Sequence, residues 1–245
     1  AEFHRSFAEI NLSAIDHNLN EIKKLLSEMT LEEKLGQLTQ LNAIFFKKDN
    51  TADITGPASK LHITEDDAHL SGSVLNFIGA KDMKEIQDSA IAVQPHKIPL
   101  LFMQDVIHGH RTLYPINLAV AASFDRDLAK ELAAMAAKEA SLDGMSVTFA
   151  PMVDLVRDPR WGRGQETCGE DPYLNAVLGV QTVLGMQGND DKYYKTHACA
   201  KHYAVHSGPE HNRHSFDAQA NQKDLYETYL WAFKYCIDHA DPSAV

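Results

Sequence analysis

Apolar and polar positions along the chain follow two periods. In "NLSAIDHNLNEIKKLLSEM", Ile15, Leu19, Ile22 and Leu26 recur at helical spacing, and Ser13 with Asp16 forms a capping-box-like start. Thr30 and Glu33 repeat that signature ahead of Leu35 and Leu38, so a second helix adjoins the first. The pattern loosens into polar loop across "KKDNTADITGPASK". Short apolar runs follow, "SVLNFIG", "IPLLFMQD", "SVTFAP" and "HACAKHYA", each of a length that fits a buried strand. Helical stretches lie between them. Leu128, Leu132, Met135 and Ala136 mark one that Asp143 and Gly144 terminate; Leu174, Val177, Leu178 and Leu184 mark another; Leu225, Tyr229, Phe233 and Ile237 mark a third.

Strands alternating with helices predict an α/β fold with a parallel sheet. Three strands run directly into polar residues: Gln104 and Asp105, then Asp154 to Arg163, then Lys201 and His202. Polar chemistry at several separate strand ends fits the top face of a (β/α)8 TIM-type barrel, whereas an open sheet gathers its site at one switch point. No glycine-rich phosphate fingerprint follows any strand. The strands visible fall short of eight, so the barrel is expected to be partial. Its unpaired edge predicts self-association. The expected organisation is a helical extension over 1–28 and a partial barrel domain over 29–245.

Composition narrows the function. The chain has 245 residues, 44% apolar and 23% charged, which describes a globular protein. A net charge of −11 argues against nucleic-acid binding, which depends on cationic neutralisation of phosphates. No apolar run reaches membrane-spanning length and no targeting segment is visible, so no membrane partner is expected and localisation stays open. Cys168, Cys199 and Cys236 are scattered, without the spacing of a zinc ribbon or a disulfide scaffold, and read as buried free thiols.

The strand-end residues carry the candidate chemistry. Asp105 either caps a turn or faces a ligand. His108 and His110 form a His-x-His pair able to chelate zinc from an extended segment, which opens an alternative reading as a metal-dependent hydrolase barrel. In "VRDPRWGRGQETCGEDP", Pro159, Gly162 and Trp161 fix the backbone of a highly charged loop. One arginine is then offered to a ligand, because a guanidinium donates two parallel bonds to a pair of hydroxyls or to a carboxylate. Arg157, Asp158, Arg160, Glu166, Glu170 and Asp171 are expected to pair with one another as scaffold. Lys201 needs a partner if buried, and His202, next to it on the strand, is expected to face the other way.

Taken together, "MTLEEKLGQL", "PLLFMQDVIHGHRTLYPI", "TFAPMVDLVRDPRWGRGQETCGEDPYL", "ACAKHYA" and "DLYETYLWAFK" resemble the N-terminal barrel domain of glycoside hydrolase family 3, the β-glucosidase and β-xylosidase group. The resemblance implies a glycosidase acting on terminal non-reducing β-D-glucosyl or xylosyl residues of a β-linked oligosaccharide or glycoside, by a retaining mechanism and without a cofactor. It also implies that Asp105, Arg163, Lys201 and His202 hold the hydroxyls of the terminal sugar. Retaining hydrolysis needs two carboxyl groups. The family's nucleophile lies in a Ser-Asp-Trp or Ser-Asp-Tyr motif, which does not occur in the sequence; it breaks off at "DHADPSAV", where the preceding strand is expected. No catalytic residue is therefore assigned, and the 245 residues alone are expected to lack normal turnover. Residues 7–26, "FAEINLSAIDHNLNEIKKLL", are similar instead to the opening of alanine racemases, which use pyridoxal phosphate, yet "NAIFFKKDNTA" does not reproduce their cofactor-lysine motif. That mixture admits a further alternative, a non-catalytic composite scaffold.

Overall fold

The structure, a computed structural model, describes residues 18–46 and 63–245. The chain divides into two compact units, one built from 1–74 with 85–100 and the other from 75–84 with 101–245. Ser13, Asp16 and the polar loop of 47–60 lie outside the described residues.

In the first unit, residues 18–28 form helix α1 and Leu31–Gln37 form α2. The capping box at Thr30 is present as expected: its hydroxyl accepts from Glu33 N at 3.2 Å, and the Glu33 carboxylate accepts from Thr30 N at 2.7 Å. Strand β1 (Gln40–Asn42) and helix α3 (Glu65–Leu70) follow, while strand β2 (Ser73–Leu75) and helix α4 (Ala80–Val93) each have residues in both units. Neither β1 nor α4 stands out in the apolar pattern, since β1 spans three residues and α4 is interrupted by charge on most turns. Gln87 of α4 donates to Leu100 O at 3.1 Å and accepts from Leu100 N at 2.8 Å, pairing the approach to the next strand as a strand neighbour would.

The second unit contains strands β3 (Leu101–Gln104), β4 (Val147–Thr148) and β5 (His197–Ala198) in parallel, with Met103 opposite Val147 and Val147 opposite His197. They fall on the predicted apolar runs but are shorter, because pairing continues beyond them only as single bridges such as Met152 to Lys201. Helix α5 (Asn117–Ala121) precedes α6 (Arg126–Asp143), and α7 (Pro172–Gln187) precedes the short α8 (Gln222–Asp224). A π-helical turn over Leu225–Tyr229 leads into α9 (Trp231–Ala240).

The caps on α6 and α7 explain their lengths. Asp125 accepts from Leu128 N at 3.0 Å, and Gly144 closes α6 at φ 97°, a conformation glycine adopts without a Cβ penalty. Asp171 accepts from Leu174 N at 2.7 Å, with Pro172 at the first helical position. The buried face of α6 is an alanine stripe, Ala129, Ala133, Ala136, Ala137 and Ala140, rather than the leucine and methionine face that the periodicity marks. Small side chains are needed because a Cβ at Gly185 of α7 would meet Lys130 O at 2.4 Å, so the two helix backbones nearly touch. On the other side of α7, Val153, Ala176, Val180, Phe233 and Cys236 form one core cluster, while Ala137, Ala150, Val183, Met186 and Ala198 form another between helices and strands.

Gln187 ends α7 and is buried. Its amide donates to Asp241 O at 3.2 Å and accepts from Ser243 N at 3.0 Å. Ala244 then pairs in parallel with Cys199, giving to Ala198 O at 3.2 Å and accepting from Ala200 N at 3.1 Å.

Candidate active site

Parallel strands place their carboxyl ends on one side, and residues just past those ends make the polar cluster. Asp105 follows β3 directly. Backbone pairing carries the β4 and β5 segments past their ends: Lys201 N donates to Pro151 O at 3.0 Å and Val153 N to Lys201 O at 2.8 Å. That register sets Asp154 beside His202, 48 residues away in sequence.

All four sequence-predicted residues meet in this cluster. The Lys201 ammonium forms an ion pair with Asp105 Oδ1, its side chain 11% exposed and that of the aspartate 48%. The buried cation thereby has a partner, and the carboxylate stays open to solvent on its other side. Arg163 Nε donates to Glu166 Oε1 at 2.8 Å and Nη2 to Glu166 Oε2 at 2.7 Å, while Nη1 donates to His202 Nε2 at 3.1 Å. Three of the five guanidinium N–H bonds are thus engaged, leaving one on each terminal nitrogen. His202 N donates to Asp154 Oδ2 at 2.9 Å, and His202 Nδ1 lies 2.9 Å from the same oxygen. The Lys201–His202 peptide is cis, and both side chains join the same cluster instead of facing opposite ways as alternation predicts.

The electrostatics are nearly balanced. Its bidentate bonds to Glu166 raise the Arg163 pKa, and the charges of Asp105 and Asp154 add to this. Glu166 is held below the ordinary carboxylate range chiefly by Arg163, against the opposing effect of burial, with Lys201 and His202 adding to the lowering. Three carboxylates, Asp105, Asp154 and Glu166, therefore face two cations, Arg163 and Lys201. Such a site suits a neutral, polyhydroxylated ligand better than an ion: carboxylates accept from hydroxyls, and the remaining N–H groups donate to neighbouring oxygens.

The charged loop before α7 is held from both ends. Val156 N donates to Gly169 O at 3.1 Å, and buried Asn175 accepts from Cys168 N at 3.1 Å while donating to Gly169 O at 3.0 Å. Glu210 accepts from Gly162 N at 3.0 Å. The expected mutual pairing of the loop charges holds only for Arg160 with Asp158, whose carboxyl is lowered to about 2 chiefly by that arginine. Glu166 pairs with Arg163 itself, Asp171 caps α7, and Arg157 lies 5.8 Å over the Tyr229 ring. Trp161 is buried edge-on to His206 with ring centres 5.7 Å apart, and His206 lies 4.6 Å from His202. Burial, then the neighbouring His202, lowers the His206 pKa.

Asp154 and Glu166 are site residues that the sequence reading did not assign. Asp154 is a lone carboxylate within an otherwise apolar run, "APMVDLV", and that isolation is the signal that marks it.

The His-x-His pair does not form a chelate. His108 Nδ1 contacts Tyr114 O at 3.1 Å, whereas His110 Nε2 lies 2.7 Å from Asp143 Oδ2, with both of those side chains buried. Arg111 also binds Asp143, and Glu139 accepts from Arg111 N at 3.0 Å and Thr112 N at 2.9 Å, so the segment is clamped to the end of α6. No group of three or more potential metal ligands occurs among the described residues. The thiols are free, with Cys168 and Cys236 pushed up to about 12 by burial; Cys168 is only half-buried, unlike the other two. An apolar cavity of about 40 Å³ lies beside Cys168, Asn117 and Leu178, but none of the four polar residues lines it.

The chain is similar to known glycosidases. The chain is 34% identical over 218 residues to the periplasmic β-glucosidase of Salmonella typhimurium, covering 89% of this chain and 27% of that protein. It is 44% identical over 149 residues to a xylan 1,4-β-xylosidase of Xylanibacter ruminicola, covering 54% of this chain and 17% of the relative. Among solved structures, the β-glucosidase of Listeria innocua in complex with laminaribiose superposes with a TM-score of 0.81 at 39% identity, over 92% of this chain and 33% of that one. The chain thus spans roughly a quarter to a third of the length of the two β-glucosidases. These neighbours share the TIM-barrel type of fold, of which the parallel α/β arrangement here is a part. With residues 30–245 matching the glycosyl hydrolase family 3 N-terminal domain, and with the strand-end residues gathered as described, the chain belongs to that glycosidase family.

Proposed function

We propose that these residues form the sugar-holding part of a retaining β-glycosidase that acts on terminal non-reducing β-D-glucosyl or xylosyl units. The observation that carries the reading is the convergence of Asp105, Arg163, Lys201 and His202 at adjoining strand ends in a nearly charge-balanced cluster. Asp105 and the two remaining Arg163 N–H groups would hold adjacent ring hydroxyls, and Lys201 would hold the Asp105 carboxylate in place. The Listeria innocua relative is described in complexes with glucose and with laminaribiose, which supports a β-glucoside as the ligand class. Nucleophile and acid/base carboxyls are assigned to none of these 245 residues, so the contribution proposed is binding and orientation rather than bond cleavage. With a net charge of −11 and no helix among the described residues long and apolar enough to cross a membrane, neither nucleic acid nor membrane is proposed as a partner.

The test is a 1H–15N NMR titration of the chain with glucose, xylose and an acyclic polyol. Weak, saturable shifts confined to residues around 105, 163 and 201–202 are expected for one or both sugars and not for the polyol. Shifts spread over the surface, or identical with all three, would overturn the reading. An aryl β-glucoside should show no release above background with the chain alone.

A further inference from the structure

Asp154 is the most deeply buried acidic side chain beside the site, with its side chain 1% exposed. One oxygen, Oδ2, receives both His202 N and His202 Nδ1 at 2.9 Å. A backbone N–H is an obligate donor, so the atom facing it must be an acceptor, and the ring nitrogen that shares that acceptor must carry a proton. On the far side of the ring, Nε2 lies 3.1 Å from Arg163 Nη1. A guanidinium has no acceptor and does not lose its proton, so Nε2 must be the acceptor of that bond. The two contacts allow one protonation state only.

We infer that Asp154 is a positioning residue for the sugar site: it fixes His202 as the neutral Nδ1–H tautomer, so that the ring holds Arg163 from one side while Glu166 holds it from the other. This rests on the sugar-binding reading for its purpose, but the tautomer itself does not. His202 is then a brace for the guanidinium, turning two Arg163 N–H bonds toward the ligand rather than toward bulk solvent. Asp154 acts through another residue, as outer partners do when they set a histidine's tautomer and ring orientation. The backbone register between Met152 and Lys201 makes the arrangement possible, since it sets the carboxylate against the His202 main chain as well as its ring.

Long-range 1H–15N correlation of the histidine rings in the intact chain, without sugar and near pH 8, reads the tautomer directly. Wild-type His202 is expected to show a protonated Nδ1 and an unprotonated Nε2. In Asp154→Asn the amide oxygen must still face the two donors, so the same tautomer should persist. In Asp154→Ala the ring keeps the Arg163 contact but loses its anchor at Nδ1, so glucose-induced shifts should weaken about tenfold or more relative to Asp154→Asn. A wild-type ring protonated at Nε2, an Asp154→Asn ring that switches, or an Asp154→Ala chain whose glucose-induced shifts equal those of Asp154→Asn would each overturn the assignment. If Asp154→Ala fails to fold, the wild-type and Asp154→Asn spectra still decide. Absence of any glucose response in a wild type with the expected tautomer would sink the sugar-binding reading and leave the Asp154 assignment standing.

Discussion

Arg163 is held on two edges, by the Glu166 carboxylate and by the His202 ring, and this restraint gives its remaining donors a direction. A lysine reproduces the charge but not the planar fork, so Arg163→Lys should weaken the glucose-induced NMR response about tenfold, or ~1.4 kcal/mol. Glu166→Gln keeps an acceptor while losing the charge and should cost a similar factor. Equal affinity in either variant, measured by the same titration, would show that the fork is not what the sugar meets. The strand-end positions of Asp105, Arg163, Lys201 and His202 are legible in the sequence, because polar residues closing apolar runs have few other reasons to be there. The service of Asp154 to His202 is not, since it depends on a backbone register between segments 48 residues apart. His108 and His110 show the opposite error. Alternation puts them on one side of an ideal strand, but the segment after Asp105 bends through Gly109 at φ 129° and sends the two rings to different partners.

At the scale of elements, the contact of α6 with α7 depends on the absence of side chain at Gly185. Gly185→Ala adds a methyl 2.4 Å from Lys130 O, a backbone atom that cannot swing aside, and should destabilise the fold by about 1–3 kcal/mol, several degrees in Tm. Gly144→Ala tests a different cause, the left-handed cap of α6 at φ 97°, and should cost about 1 kcal/mol with no clash involved. Calorimetry of both variants separates crowding from backbone strain; a neutral Gly185→Ala would mean the helices can part. The start of α2 and the stop of α6 are legible because each rests on a local signature, the Thr30–Glu33 box and the glycine at 144, whereas the Asp171 cap of α7 is not, its carboxylate reading as one more charge of the loop. The face of α6 was not, because alanine carries a weak apolar signal and its burial here reflects how near the neighbouring backbone lies. The π-helical turn between α8 and α9 escaped for a related reason: apolar spacing continues through it unbroken.

For the whole molecule, acid is the informative stress. Asp143 is held below the ordinary carboxylate range chiefly by Arg111, and Glu166 likewise by Arg163. A carboxyl with a depressed folded pKa stabilises above its unfolded value and loses that contribution as pH falls through the folded one. His206, lowered by burial, works in the same sense, being more easily protonated once unfolded. Thermal stability should therefore be flat above about pH 6.5, decline gently below it, and fall steeply once pH drops below about 4. Melting curves across that range check the order, and a Tm that rises on acidification from neutrality would contradict it. Exposed Leu113, Phe124 and Leu142, together with a β5 of two residues bordered by a single bridge, also predict self-association. Light scattering over a concentration series should show species larger than a monomer; a mass that stays monomeric throughout would refute this.

The pairing of Ala244 with β5 has a mechanical corollary. Its two hydrogen bonds grip Ala198 and Ala200, and the next residue along is Lys201, whose ammonium steadies Asp105. Tension or slack introduced at Ser243 to Val245 therefore travels one peptide before reaching the binding cluster, so a bulky fusion attached there should loosen the grip on sugar while leaving the caps of α6 and α7 untouched.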